Sequence, residues 1–197
     1  MLFRSFKNFI TLASAGNTRG ADGELNPVDA NSDNVADISG EAIFRELQYR
    51  AVPARFRGIE TEGKFRAFER GASQLDLLLK YDEVLAADLS SGLPLPRITP
   101  RRIGMGLDYR VNAFNARLDL TRAAAQGRVA ANELPTGGHT MVNLGVSYRV
   151  KFSRGGLELF ARGLNLLNED VRNHVSFLKD IAPQGKRSVV AGLRVQF

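Results

Sequence analysis

The chain has no cysteine and no tryptophan, and histidine occurs only as His139 and His174. Without cysteine there is no disulfide framework, no thiol nucleophile and no Cys-based zinc or iron–sulfur centre. Two histidines do not make a metal site alone, since zinc takes three or four protein ligands. No apolar run approaches the roughly 20 residues that a membrane-spanning helix needs. The opening residues, Met1-Leu2-Phe3-Arg4-Ser5-Phe6-Lys7, show no apolar signal-peptide core and no small-residue cleavage site. A cytosolic protein would start this way, and so would a chain that has lost its front end. Ser153, Ser176 and Ser188 lie in no nucleophile-elbow motif. Neither an enzyme nor a bound cofactor is expected.

Charge is present in both signs. The 27 Lys and Arg exceed the 21 Asp and Glu by six, which first suggests a nucleic-acid partner. The arginines are dispersed, as in Arg45, Arg50, Arg55, Arg57, Arg66 and Arg70. They form no basic stripe on a helix and are not interleaved with an aromatic RNA-binding strand. No nucleic-acid partner is expected, and the even spacing fits the polar face of a repeated strand structure.

That strand pattern is legible along most of the chain. Val142, Leu144, Val146, Tyr148, Val150 and Phe152 alternate with Asn143, Gly145, Ser147, Arg149 and Lys151. Ile103, Met105, Leu107, Tyr109 and Val111 alternate with Arg102, Gly104, Gly106, Asp108 and Arg110. The same period of two runs through 57–67, 74–82, 114–121, 157–165 and 189–197. It places Glu60, Glu62, Lys64, Arg66, Asp108, Arg110, Arg117, Asp119, Arg149, Arg162 and Arg194 on one wet face. Segment 2–12 is strand-like with poor alternation. The total is about eight strands.

The links alternate in length. Short links near 69–73, 111–113 and 153–156 separate long ones near 14–42, 83–97, 130–138 and 166–186. In a meander this collects the short turns at one end and the long loops at the other, as in outer-membrane barrels. Strands long enough to cross a bilayer at a tilt and a wet face mixing both charge signs favour that fold over a soluble sandwich. The expected class is all-β, an antiparallel transmembrane β-barrel facing outer-membrane lipid, located in the bacterial outer membrane. On the wet face, Glu60 and Glu62 read as part of a charge ladder rather than a catalytic carboxylate pair.

The last strand carries Val189, Ala191, Leu193, Val195 and Phe197 at alternate positions. An apolar edge strand of this kind is an aggregation hazard in a soluble protein. It resembles the C-terminal signal that the barrel-assembly machinery of bacterial outer membranes reads. Residues 157–197 resemble the last two strands of TonB-dependent receptors. The carrying residues are Leu159-Phe160-Ala161-Arg162-Gly163-Leu164-Asn165-Leu166-Leu167-Asn168-Glu169 and Gly185-Lys186-Arg187-Ser188. Within that family the stretches 173–187, 95–104 and 54–63 are most similar to the zinc-uptake branch.

The resemblance implies a larger object, a barrel of about 22 strands around an N-terminal plug, of which this chain aligns with the last eight strands. It implies uptake of a metal ion or metal complex, zinc first, as a small metal ligand of the receptor. Contact with the TonB–ExbB–ExbD complex is expected only through the N-terminal part that the alignment lacks. Isolated, the chain is expected to be non-functional. The alternative is a self-contained eight-stranded outer-membrane barrel with a structural, adhesive or enzymatic role.

Metal candidates are sparse. Asp29-Ala30-Asn31-Ser32-Asp33-Asn34 has the opening spacing of a calcium loop. The match then fails, with Asn34 at the sixth position and Gly40 at the twelfth. Asp29 and Asp33 are kept as candidates with His174 and His139, each of which brings one imidazole.

Overall fold

The computed structural model describes residues 2–29, 33–37, 40–131 and 133–197. Eight strands form one sheet in the order β1 to β8, each hydrogen-bonded antiparallel to its neighbour in sequence. They are β1 (Leu2–Gly20), β2 (Ile43–Arg70), β3 (Ser73–Asp88), β4 (Arg102–Val111), β5 (Phe114–Ala123), β6 (His139–Phe152), β7 (Gly155–Leu164) and β8 (Ser188–Gln196). Among the described residues β1 and β8 make no contact with each other, so the sheet has two edges.

Two-residue turns join β2 to β3, β4 to β5 and β6 to β7. Gly71 and Asn112 take positive φ there, at 56° and 49°, which glycine and asparagine tolerate best. The long connections, 21–42, 89–101, 124–138 and 165–187, gather at the opposite end. The expected alternation of short and long links is therefore present, with shifted bounds.

The shifts have local causes. Segment 2–12 alternates poorly because β1 bulges between Phe6 and Phe9. The extra residue brings Phe6 and Phe9 to the same face, opposite Ala54 and Val52. Strand β2 starts at Ile43, fourteen positions before the period-two pattern begins. Pro53 obscures that stretch, since proline has no N–H for a ladder. It lies opposite the β1 bulge, where a missing donor is harmless. A second bulge between Arg66 and Phe68 brings Phe68, rather than Ala67, opposite Leu75. Strand β3 also runs on to Asp88.

The two faces of the sheet differ in chemistry. On one, Leu77, Leu107, Leu118 and Leu144 line up across four strands, and Leu79, Met105, Leu120 and Val142 form the next row. Leu159 and Leu193 continue the band toward β8. Many of these side chains are exposed, including Phe65, Ile103, Tyr148 and Leu193. A water-soluble protein rarely leaves so continuous an apolar band uncovered. The buried apolar cluster is small and lies on the other face, at the long-loop end. Val52, Ala54, Ala86 and Leu95 form it, with Phe9, Phe56 and Ile98 packed alongside. Segment 89–101 folds onto the sheet there, the Leu95 N–H donating to Ala86 O at 3.2 Å.

Candidate functional site: a charged strand face and a buried loop junction

The even positions of β2 and their partners build the charged face. Lys80 meets Glu62 at 3.0 Å across β2–β3, and Lys64 meets Asp76 at 3.1 Å. Arg66 contacts both Asp76 and Glu69. Arg102 donates from Nε to both oxygens of Asp82, at 2.9 and 3.1 Å. Further along, Arg110 pairs with Asp108, which also accepts from Asn115 at 2.9 Å. Arg117 makes two 2.8 Å bonds to Asp119. Glu158 lies between Arg149 at 3.4 Å and Arg194 at 3.5 Å. The Arg162 guanidinium stands 5.6 Å from the Phe160 ring centre.

Each exposed pair alone contributes little to stability. Their arrangement matters more, since they neutralise a tall polar wall in place and hold its long side chains along the sheet. Glu60 lies on the same wall, opposite Asp82.

At the long-loop end three loops meet at a buried polar junction. Lys179 donates from Nζ to Glu133 Oε1 at 3.0 Å and to Leu134 O at 2.6 Å. The Arg97 N–H also donates to Glu133, at 3.0 Å. His174, 1% exposed, has Nδ1 2.9 Å from Thr136 Oγ1 and Nε2 3.2 Å from Glu133 Oε1. Segments 89–101, 124–138 and 165–187 are thereby tied together. Burial works to raise the Glu133 carboxyl, but hydrogen bonds from Lys179, Ala130 and Arg97 outweigh it and hold the group below its usual range. Burial first, then the Lys179 charge, pushes the His174 imidazole below its ordinary value. A cleft of about 260 Å³ opens beside the junction, with Leu47, Arg97, Glu133, Phe177 and Lys179 among its walls. Arg97 stacks on Phe177 there, 3.6 Å from the ring centre.

Asn165 anchors the last loop. Its side chain donates to Glu169 O at 3.0 Å and Gly185 O at 3.1 Å, and accepts from the Glu169 N–H at 3.0 Å. Asn168 accepts from the Arg187 N–H at 3.1 Å. Both asparagines have positive φ, 49° and 57°. The Asn-Leu-Leu-Asn motif is thus a device for turning the chain out of β7 and returning it to β8.

The four metal candidates lie in different settings. The Asp29 carboxylate accepts from the N–H groups of Asp33 and Asn34, both at 3.1 Å. Residues 30–32 of that motif are outside the described residues. His139 opens β6 opposite Ala123, and its Nδ1 is buried without a hydrogen-bond partner. His174 belongs to the loop junction, where an ammonium group lies 3.4 Å from its Nδ1. Among the described residues no three His, Cys, Asp or Glu side chains converge on a metal-sized position. Glu133, Lys179 and Thr136 were not legible as partners of His174. They are 41, 5 and 38 residues from it in sequence and meet only once the loops fold.

Known proteins share the fold. The chain superposes on the copper transporter OprC with a TM-score of 0.70 and 20% sequence identity, over 99% of this chain and 28% of that one. It therefore spans well under two thirds of the transporter's length, and the likeness is one of fold. Residues 3–166 match the family described as TonB dependent receptor-like, beta-barrel. That family comprises outer-membrane receptors of Gram-negative bacteria rather than enzymes, and this chain belongs to it.

Proposed function

We propose that the chain forms the C-terminal part of the barrel wall of a TonB-dependent outer-membrane receptor that takes up a metal ion or metal complex. The observation that carries this reading is the division of the sheet. An uncharged, exposed apolar band occupies one face and an ion-paired wall the other. Lipid satisfies the first and a polar lumen the second. The wet-face residues from Glu60 to Arg194 are the lumen wall in this reading, and the strand ending in Phe197 is the segment the assembly machinery recognises. The cleft beside Arg97 and Phe177 lies where cargo entering from the long-loop side first meets protein.

Zinc is the first candidate cargo, on the resemblance of 95–104 and 173–187 to the zinc-uptake branch. The fold likeness to a copper transporter keeps metal uptake in view. The TonB–ExbB–ExbD complex is the partner of the whole receptor in this reading. The two sheet edges disfavour a self-contained eight-stranded barrel, because lipid cannot satisfy unpaired strand edges. Competitive uptake into cells carrying the receptor tests the cargo. Cold zinc should displace labelled zinc better than copper, iron–siderophore or haem does. Preferential displacement by one of those would overturn the zinc assignment.

A further inference from the structure

Where a strand of this sheet outruns its neighbour, a loop generally meets the overhang. Strand β3 runs past β4 from Glu83 to Asp88. Segment 89–101 covers that stretch, the Leu95 N–H donating to Ala86 O at 3.2 Å and the Asp88 N–H to Leu93 O at 3.0 Å. Strand β6 runs past β7 at its start, where the Leu166 N–H donates to Val142 O at 2.9 Å. It also runs past β5 at its end, where the Arg149 N–H donates to Ala113 O at 2.9 Å.

Strand β2 is different. It runs past β3 from Ile43 to Pro53, since pairing with β3 begins at Ala54. Loops hold only the two ends of this stretch. The Ile43 N–H donates to Asn34 O at 2.8 Å, and Pro53 O accepts from the Leu89 N–H at 2.7 Å. Successive residues of a strand turn their backbone groups to opposite edges, so Ala51, Tyr49 and Leu47 face the same way as Pro53. From Leu47 to Val52 the register with β1 is unbroken. Among the described residues no loop backbone bonds to these three, and all three are exposed.

Leu47 is also a wall of the cleft at the loop junction. Leu12, Leu134 and Phe177 add apolar surface there, and Arg97 lies across the Phe177 ring. At about 260 Å³ the cleft is smaller than a usual small-molecule pocket, roughly 300–1,000 Å³, and suits one large side chain. Unpaired charge beside the edge is mainly cationic. Glu46 pairs with Arg19 and Glu133 with Lys179. Arg50 and Arg97 have no such carboxylate among the described residues, and Asp180 is the acid on the cleft wall outside those pairs.

Alternating N–H and C=O groups at strand spacing are matched by an extended backbone, which a lipid or a small ligand does not offer. We infer that the β2 edge from Leu47 to Ala51 docks an acidic, extended segment of another polypeptide, which adds a strand there and places one apolar side chain in the cleft. Main-chain bonds supply affinity in such strand addition, and the side-chain pocket supplies specificity. The receptor reading enters only in placing the long-loop end outside the cell.

The test uses the whole receptor carrying this chain, folded in vesicles. Hydrogen exchange at single-residue resolution should be fast at Leu47, Tyr49 and Ala51 and slow at Gln48, Arg50 and Val52. Protection of all six would mean that another part of the receptor covers the edge, and would overturn the site. Short peptides of random sequence would then be selected on the receptor. The binders should be acidic and should protect the Tyr49 and Ala51 amides. Tyr49→Pro removes one edge donor without touching the β1 ladder, and should lower their affinity about tenfold. Tyr49→Ala keeps that donor and should lower it less. Arg97→Gln should also weaken binding.

N-methylation along a bound peptide should abolish binding at alternate amides and spare the amides between. That measurement uses the unaltered receptor, so it decides even where Tyr49→Pro does not assemble. A selection without binders, binders indifferent to Tyr49→Pro, or N-methylation effects without a period of two would overturn the proposal. Heat-modifiable mobility reports folding separately. An inserted, folded receptor that fails these tests refutes the docking edge alone, whereas failure to insert refutes the membrane reading.

Discussion

At the residue scale, two loop positions hold the long-loop end together. Asn165 combines three side-chain hydrogen bonds with a positive φ. Asn165→Ala removes the bonds and strains the backbone, at a cost of about 3 kcal/mol. Asn165→Gly relieves the strain and should recover about 1 kcal/mol of that. Thermal loss of the heat-modifiable form measures both; equal midpoints for wild type and Asn165→Ala would refute the anchoring role. The motif was recognisable in sequence as a family signature, but its mechanism was not, because Gly185 is 20 residues away.

The loop junction responds to acid in a fixed direction. The folded His174 value lies below its ordinary 6.5. Released loops therefore bind a proton that the packed junction excludes, and packing weakens as pH falls below that value. Glu133 is held below its ordinary 4.5 and adds a further loss under stronger acid, as pH falls through its folded value. Hydrogen exchange at residues 172–184, corrected for intrinsic rates, should show less protection at about pH 5.5 than at about pH 8. His174→Gln should flatten that difference, and equal protection at both pH values in the wild type would contradict the account.

At the element scale, legibility followed regularity. Strands β4 to β8 were read to within about two residues, because nothing interrupts their alternation. Strands β1 and β2 were read short, because a bulge at Phe6–Phe9 and Pro53 break the period that reveals a strand. Close backbone approach was also hidden from sequence, and it separates two glycines. A Cβ on Gly155 would collide with Gln196 O, a backbone atom of β8. A Cβ on Gly145 meets only Arg162 Cγ at 3.9 Å, an ordinary contact. Gly155→Ala should open the β7–β8 pair and sharply reduce assembled protein in the outer membrane, whereas Gly145→Ala should assemble as wild type. Equal yields of the two variants would contradict the register between β7 and β8.

At the scale of the whole molecule, the sequence alternation announced two faces without saying what each one meets. The structure adds that the charged wall is largely neutralised within itself while many apolar side chains of the other face stay uncovered. A soluble sandwich would bury the apolar face, whereas a barrel in lipid exposes it. The candidate site was less legible than the fold. A wall of ion pairs follows from alternation on single strands, but a junction of three loops depends on contacts that no local pattern encodes.

Strand β5 offers the most direct test of the central claim, that one face of the sheet lies in lipid and the other lines a polar lumen. The chain has no cysteine, so single substitutions from Phe114→Cys through Thr121→Cys each introduce a unique thiol. Each would carry a spin label in the receptor assembled in membranes, and accessibility to oxygen and to a water-soluble nickel complex would be read along the strand. Oxygen access should peak at Phe114, Ala116, Leu118 and Leu120, and nickel access at Asn115, Arg117, Asp119 and Thr121, in opposite phase. High nickel access on both faces, or no period of two, would contradict the account.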